Sequence, residues 1–361
     1  MILVYYLLFI NIIAFIMYGI DKAKAKADKR RIPEHTLIFL AVIGGAIGAG
    51  IGMKVFHHKT KKNKFRITVP VLLVIEIILI IFCLFQNYHL VVTNYSYEND
   101  KITDSLDGYR IVQISDLHNQ FFGFGQKRLL SQIEKCEPDI IAVTGDVIDT
   151  NHTNYELAME FFKGAAKIAP VYYITGNHEL WLDKERFSGF LSDIQNMGVH
   201  YIDDTVVDLK DYLLIGVGDS TLRMGVDPDS FEYVEISDKG GENLLYPVGN
   251  NGTERDGSYR DDNRFKIMLA HEPSFHNVYQ NCGMDMVFTG HYHGGQIIIP
   301  GKGGLISPDF EFFPELYEGM HEFGDTTMVI SRGLGNSLAP VRINNYPEIV
   351  VVELKKSKAD N

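Results

Sequence analysis

The stretch DIIAVTGDVID, residues 139–149, decides the fold of the larger part of this chain. Its first part, residues 139–144, is a short run of apolar and β-branched side chains, the pattern of a buried strand. Gly145 then permits a sharp exit from the strand, and Asp146 follows at the carboxyl edge. Because ligands bind at this edge in open α/β sheets, the stretch predicts a strand that presents a carboxylate to a binding site.

Four further apolar runs end at side chains that can ligate a metal ion. They are residues 109–115 before Asp116-Leu117-His118, residues 171–175 before Gly176-Asn177-His178-Glu179, residues 265–270 before His271, and residues 286–289 before Gly290-His291-Tyr292-His293. A single histidine is more often a surface or packing residue than a ligand. Five such run ends, separated by helical stretches, predict an α/β sandwich in which these side chains gather at a shared metal-binding site.

The charge of the chain is divided between two parts. Residues 1–90 hold 12 Lys and Arg against 4 Asp and Glu, which leaves 22 against 42 for residues 91–361, or net charges of +8 and −20. An acidic body repels phosphate backbones, so we expect no nucleic-acid-binding surface. Bound metal ions would reverse this field locally.

The basic part contains three apolar segments, at residues 1–20, 37–53 and 67–85. The first and third are long enough to span ~30 Å of hydrocarbon, whereas the second is shorter and rich in glycine. The loops at residues 21–36 and 54–66 carry six Lys or Arg each, so both are expected in the cytoplasm. A middle segment that re-enters the membrane or lies at its interface satisfies both loops, and a spanning segment does not.

We therefore predict a helical membrane domain at residues 1–90 and a catalytic domain at residues 91–361. No Lys or Arg lies between Tyr88 and Lys101, which favours an extracytoplasmic catalytic domain in a multi-pass protein of the cell membrane. Residues 237–263 are rich in Gly, Asn, Asp and Glu and are predicted to form an exposed excursion.

The membrane part resembles a family of small bacterial membrane proteins of unknown function. The resemblance is carried by Tyr18-Gly-Ile-Asp21-Lys22, Arg31-Ile-Pro33-Glu34, Gly44-Gly45 and His58-Lys59-Thr60. It implies a location and no chemistry.

The acidic part resembles the calcineurin-like metallophosphoesterases over residues 105–355, because its five motifs follow in that superfamily's order. Residues 290–296, the stretch Ser331-Arg-Gly-Leu-Gly335 and Pro347-Glu348-Ile349 resemble its membrane-associated bacterial phosphodiesterase branch. The resemblance implies a four-layer αββα sandwich preceded by the helical membrane domain.

The same resemblance implies a role for each motif residue. The first of two divalent metal ions would take Asp116, His118, Asp146 and His293, and the second Asp146, Asn177, His271 and His291. Mixed imidazole, carboxylate and amide ligands suit Mn, Fe or Zn. A hydroxide bridging the two ions would attack phosphorus, and His178, oriented by Asp149, would protonate the leaving group.

These features predict a membrane-anchored dinuclear metallophosphoesterase that hydrolyses phosphodiesters or phosphomonoesters. One alternative is a hydrolase of lipid-linked phosphate or pyrophosphate, and another is a metal-loaded binding or sensing module with little turnover. The expected partners are a phosphate-ester substrate and the lipid bilayer. Two aromatic groups are predicted to line a substrate groove, to contact lipid or to pack on the core: Phe121, Phe122 and Phe124, and Phe310, Phe312, Phe313 and Tyr317.

Overall fold

A computed structural model describes residues 2–225, 232–237, 244–247, 259–336 and 341–358. The greater part of the predicted excursion at residues 237–263 lies outside these ranges. The chain divides into two compact units, Met1–Phe85 and Gln86–Asn361.

The first unit is helical. Its helices are α1 (Ile2–Lys26), α2 (Glu34–Leu40), α3 (Ala46–Val55) and α4 (Asn63–Tyr88), with a π-helical turn at Ala41–Gly45 between α2 and α3. Among the residues that the structure describes, three stretches are long and apolar enough to cross a membrane: α1, the combined segment of α2 and α3, and α4.

The combined segment of α2 and α3 turns back on itself as a hairpin. Ile43 and Gly44 leave the helical conformation, and Gly44 has a φ of 101°. Before the hairpin, the backbone N–H of Ile32 donates to one oxygen of the buried Asp21 carboxylate at 2.8 Å. After it, Nε2 of His58 lies 2.7 Å from the other oxygen. Both ends of the segment therefore lie at the same end of the unit, as the charges of the flanking loops required.

The break in this hairpin frees backbone groups that two side chains from other helices satisfy. Asn11 of α1 accepts from the N–H of Gly48 at 2.7 Å and donates to the carbonyl of Gly44 at 2.7 Å. Glu76 of α4 accepts from the N–H of Ala46, the first residue of α3, at 3.0 Å. Backbone groups freed among apolar helices need protein partners, which explains these polar residues inside apolar helices.

Motif residues of the first unit hold the basic loops together. Arg31 lies 3.2 Å and Lys59 lies 3.5 Å from the Asp21 carboxylate. Lys59 also contacts Glu34 at 2.9 Å. The residues that resemble the small membrane proteins are thus the ones that join the two ends of the hairpin.

The second unit contains β1 to β16 in chain order. They are β1 (Val91–Asn99), β2 (Arg110–Ile114), β3 (Ile140–Thr144), β4 (Val171–Ile174), β5 (Val199–Tyr201), β6 (Thr205–Asp208), β7 (Tyr212–Gly216), β8 (Glu232–Ser237), β9 (Leu244–Pro247), β10 (Phe265–Leu269), β11 (Met286–Thr289), β12 (Ile298–Ile299), β13 (Gly303–Gly304), β14 (Gly319–Phe323), β15 (Thr326–Ile330) and β16 (Glu348–Lys356). All five predicted metal-motif runs are strands.

These strands form two large sheets and a small β12–β13 ribbon. The order in the first sheet is β1-β16-β2-β3-β4-β5, and in the second it is β14-β15-β11-β10-β7-β6-β8-β9. β2 to β5 are mutually parallel, as are β7, β10, β11 and β15. Parallel neighbours bring their carboxyl ends to the same edge, which gathers the motif residues.

Helices cover the outer faces of both sheets. They are α5 (Lys127–Lys135), α6 (Tyr155–Ala165), α8 (Lys184–Gln195), α9 (Asp219–Met224) and α10 (His276–Asn281), while the short α7 (Asn177–Leu180) directly follows β4 at the sheet edge. One buried cluster joins α5, α6 and α8 to the first sheet, and another joins α9 and α10 to the second. Between the sheets, residues such as Ala142, Leu214 and Phe288 form a third cluster. The unit is therefore the expected four-layer αββα sandwich.

Candidate metal centre

All seven predicted metal ligands lie together at the carboxyl edges of the two sheets. The first sheet supplies Asp116 and His118 after β2, Asp146 after β3 and Asn177 after β4, and the second supplies His271 after β10 and His291 and His293 after β11. Each of these residues is buried. The polar side chains are therefore held where water screens them little.

The backbone turns sharply at most of these residues. Positive φ angles of 51°, 44°, 52°, 65° and 48° occur at Asp116, His118, Asp146, His291 and His293. Residues other than glycine rarely adopt this left-handed conformation, although Asp and His tolerate it better than most. Such strain persists where the surrounding structure over-determines it, and it clusters at functional sites.

Glycines allow the turns to approach one another. A Cβ at Gly145, which has a φ of 87°, would lie 2.6 Å from the backbone nitrogen of Gly176 and 2.8 Å from Nδ1 of His271. A Cβ at Gly290 would overlap Ser115 and the carboxylate of Asp116. Close packing of these turns is what brings ligand atoms from two sheets into one site.

One group of candidate ligand atoms surrounds Nε2 of His118. It lies 3.2 Å from Nε2 of His293, 3.5 Å from Oδ2 of Asp146 and 4.0 Å from Oδ1 of Asp116. Nε2 of His293 lies 3.6 Å from the same Asp116 oxygen. The structure thus brings together ligand atoms of Asp116, His118, Asp146 and His293.

A second group surrounds Nε2 of His271. Its Nδ1 lies 2.8 Å from the carbonyl of Thr144 and donates to it, so the neutral ring carries a lone pair on Nε2. That nitrogen faces Oδ1 of Asn177 at 3.1 Å, Nδ1 of His291 at 3.2 Å and Oδ2 of Asp146 at 3.3 Å. Lone pairs that converge in this way repel one another, and a cation removes the repulsion. The donor set therefore fits a divalent metal ion.

Asp146 belongs to both groups through a single oxygen. Oδ2 lies 3.5 Å from Nε2 of His118 and 3.3 Å from Nε2 of His271. Oδ1 instead accepts from the backbone N–H of His178 at 2.8 Å. This hydrogen bond fixes the carboxylate with one oxygen between the two groups.

Burial keeps most of the imidazoles neutral. It lowers the pKa of His118 to about 4 and the pKa of His291 to about 3, and it lowers the pKa of His293 as well. Neutral imidazole is the form that binds metal ions. At His271 burial is outweighed by the charge of Asp146, which raises the pKa to about 10, so a proton and a metal ion compete for this site.

The predicted pair of His178 and Asp149 lies beside the candidate ligands. Nδ1 of His178 is 3.3 Å from Oδ1 of Asp149, and the hydroxyl of Thr150 is 3.0 Å from the same nitrogen. The ring of His178 packs edge to face on that of His118, with centroids 4.5 Å apart. Burial opposes protonation of His178, but the hydrogen bond to Asp149 and the charge of Asp146 raise its pKa above the ordinary value.

Glu179, which the sequence indicated only as a neighbour, joins two of the motif turns. Its carboxylate accepts from the backbone N–H groups of Asp146, Ile148 and Gly176 at 2.9, 3.0 and 2.9 Å. The buried carboxylate therefore holds the turns after β3 and β4 in register.

Two further residues near the site have no recognisable sequence signal. Asn345 donates to the carbonyl of His293 at 2.7 Å, and the fully buried guanidinium of Arg342 lies 3.5 Å from Nδ1 of the same histidine. Both residues lie about 50 positions after His293 in the chain, so the sequence separation does not predict that they contact it.

Comparisons with known proteins agree with both parts of the chain. The family model described as calcineurin-like phosphoesterase matches residues 109–295. A model described as a protein of unknown function, DUF1294, matches residues 11–65.

Relatives are found for each part. The chain is 27% identical over 270 residues to the uncharacterized metallophosphoesterase YkuE of Bacillus subtilis, covering 73% of this chain and 85% of that protein. It is 24% identical over 261 residues to the phosphodiesterase YaeI of Escherichia coli, covering 70% and 84%. The N-terminal part is 50% identical over 80 residues to the uncharacterized protein YsdA of Bacillus subtilis, covering 22% of this chain and 90% of that protein.

Proposed function

The chain belongs to the calcineurin-like phosphoesterase family, and from that membership we propose that it is a membrane-anchored, dinuclear metal-dependent hydrolase of phosphoesters. The observation that carries the proposal is the position of Asp146, whose Oδ2 lies within 3.5 Å of ligand nitrogens from both groups. A carboxylate oxygen shared in this way is suited to holding two cations close together.

The two groups of atoms, around Nε2 of His118 and around Nε2 of His271, give the proposed ligands of the two metal ions. Asp116, His118, Asp146 and His293 would hold one divalent ion, and Asp146, Asn177, His271 and His291 the other. When bound, the ions would supply Lewis-acid stabilisation of the phosphoryl oxygens and activate the attacking water. The mixed ligand set favours Mn, Fe or Zn.

His178 is proposed as the general acid. Asp149 engages Nδ1, which leaves Nε2 as the nitrogen that delivers a proton to the departing alkoxide. The raised pKa of His178 keeps more of the ring protonated near neutral pH, which suits an acid. Asp149 would orient the ring and stabilise its charge.

Phosphodiesters are the favoured substrates, with phosphomonoesters as the second class. The relative from Escherichia coli is described as a phosphodiesterase, and its match covers most of the second unit. Nucleic acid is disfavoured as a substrate, because the net charge of −20 for residues 91–361 makes the surface around the metal centre repel a phosphate backbone.

We further propose that the catalytic domain lies outside the cytoplasm. Because α2 and α3 form a hairpin, α1 and α4 would be the two helices of the described residues that cross the membrane, and both basic loops would lie on one side. The positive-inside rule places these loops in the cytoplasm. Helix α4 begins at Asn63, within the second basic loop, and then crosses, so the residues after Tyr88 would emerge on the opposite side.

The metal requirement is tested by removing and restoring ions. We expect the full-length protein in detergent to hydrolyse bis(p-nitrophenyl) phosphate, to lose this activity after treatment with a chelator, and to regain it with Mn, Fe or Zn. The measurement is p-nitrophenolate release together with the metal content by mass spectrometry, with two ions expected per chain.

A protein that binds two ions but hydrolyses neither diester nor monoester would contradict the enzymatic proposal. It would support the binding or sensing module instead. Hydrolysis that survives complete metal removal would contradict the dinuclear mechanism.

The topology is tested with single exposed cysteines and a membrane-impermeant maleimide on intact cells. We expect Asp100→Cys to react at once, and Lys29→Cys and Lys61→Cys to react only after permeabilisation. The two lysines flank the hairpin, so a spanning middle segment would place them on opposite sides. Different labelling of Lys29→Cys and Lys61→Cys would overturn the hairpin, and protection of Asp100→Cys would overturn the extracytoplasmic assignment.

A further inference from the structure

Large apolar side chains are exposed on loops that follow three of the metal motifs. We call them the aromatic rim: Phe121, Phe124, Trp181, Phe310, Phe312 and Phe313. Phe124 is 92% exposed, Phe310 72%, Phe312 67% and Trp181 66%. Phe122, from the same sequence cluster, is instead buried in the core. Exposed groups of this kind mark surfaces that bind a protein, a ligand or a membrane.

The rim lies beside the metal centre. The ring of Trp181 is 5.3 Å from that of His178. Asp309, which directly precedes Phe310, has its carboxylate 3.9 Å from Nε2 of His291. Phe121 and Phe124 pack edge to face at 5.6 Å, in the loop that follows His118.

The second unit begins at this same edge. Asn87 accepts from Asn336 at 2.7 Å, and Asn336 follows Gly335, whose N–H donates to the carbonyl of Asp116 at 2.6 Å. The carbonyl of Tyr88 accepts from Arg128, the second residue of α5, at 3.0 Å. Residues 86–88, the first residues of the second unit, therefore lie on the edge that carries the metal centre.

We propose that the aromatic rim inserts into the bilayer interface and presents the metal centre to phosphoesters of membrane lipids. The proposal rests on the proposed phosphoesterase function and narrows its substrate class. Water adds across a P–O bond of the lipid headgroup, which yields an alcohol and a phosphate or phosphomonoester. One of the two products stays in the bilayer with the acyl chains.

A lipid bilayer fits the rim better than a soluble partner does. The two residues between α4 and β1 keep the catalytic domain at the membrane. Tryptophan and phenylalanine are favoured at the interface between headgroups and acyl chains. Residues 91–361 carry a net charge of −20, so electrostatic attraction to anionic headgroups does not drive membrane binding of this domain. Insertion of the apolar rim side chains is therefore the driving force that we infer.

Trp181 is the single tryptophan of the chain, so its fluorescence reports on the rim without any enzymatic assay. The test uses the full-length protein reconstituted into phosphatidylcholine and phosphatidylglycerol vesicles, with and without acyl chains brominated near the headgroup. The expected result is a blue-shifted emission relative to a water-exposed indole and a loss of at least about half the intensity with brominated lipid. Emission that is neither shifted nor quenched would overturn the proposal.

A second experiment compares two substrates in the same vesicles. We expect the variant Phe124→Ser/Phe310→Ser/Phe312→Ser to lower the ratio of lipid hydrolysis to bis(p-nitrophenyl) phosphate hydrolysis at least tenfold. The lipid arm measures products released from phosphatidic acid and phosphatidylglycerol. Val278→Ser, at an exposed apolar position on α10 outside the rim, is the matched control and should leave the ratio unchanged.

The two proposals fail in different ways. A wild-type protein that hydrolyses the soluble diester but neither lipid, at any surface concentration, overturns the lipid assignment and leaves the phosphoesterase function intact. A quenched Trp181 without hydrolysis of any substrate supports insertion and contradicts the phosphoesterase function. A ratio that falls equally in Val278→Ser overturns the role of the rim.

Discussion

Replacing Asp146 by asparagine should lower kcat for bis(p-nitrophenyl) phosphate by on the order of a thousandfold or more, equivalent to about 4 kcal/mol of transition-state stabilisation. Oδ2 of this residue lies 3.5 and 3.3 Å from ligand nitrogens of the two groups, so one substitution weakens both metal sites. The side-chain volume is retained, while the negative charge that balances the cations is lost. The measurement is steady-state hydrolysis at saturating Mn together with the metal content.

Asp193→Asn on α8 is the matched control, because this aspartate is exposed and outside the candidate centre. It should retain wild-type activity and two ions per chain. Thermal unfolding of Asp146→Asn shows whether the fold persists. A folded Asp146→Asn protein with wild-type kcat would contradict the shared-carboxylate assignment.

Replacing His178 by glutamine should lower kcat by roughly 10²–10⁴-fold for substrates with an alkoxide leaving group. The loss should be far smaller for p-nitrophenyl esters, because p-nitrophenolate departs without protonation. A dependence on the leaving group separates a general acid from a residue that only supports the fold. The measurement compares methyl p-nitrophenyl phosphate with a dialkyl phosphate.

Asp149→Asn should also lower kcat for substrates with an alkoxide leaving group, but by a smaller factor, since it removes the negative charge beside Nδ1 and retains the acid. Metal content should remain near two ions per chain in both variants. An equal loss of kcat for both leaving groups in His178→Gln would contradict the general-acid role. Loss of metal from that variant would instead indicate a ligand role.

The metal motifs were readable in the sequence because each lies at the end of a short apolar run. A strand has a fixed period, and parallel strands share an edge, so Asp116, Asp146 and Asn177 were expected to meet. The same reasoning could not reach Arg342 or Asn345. They contact His293 through a loop whose path depends on packing between elements distant in the chain.

In the first unit, the charge pattern of the sequence left two arrangements of residues 37–53 open, and the packing of the unit decided between them. Six basic residues on each side of residues 37–53 disfavoured a spanning segment, but length and composition alone also permitted one. The meeting of Ile32 and His58 at Asp21 decides for a hairpin. The structural role of Glu76 and Asn11 is likewise visible only from their hydrogen bonds to backbone N–H groups at the start of α3.

The sequence by itself determined the two-part organisation, the α/β class and the chemical types at the metal centre, since these follow from local periodicity, charge and residue chemistry. The tertiary structure decided which oxygen of Asp146 is shared, which phenylalanines are exposed and where the chain enters the catalytic domain. Phe122 and Phe124 are separated by one residue, yet the first is buried and the second is 92% exposed. Such differences arise from long-range packing, which no local pattern encodes.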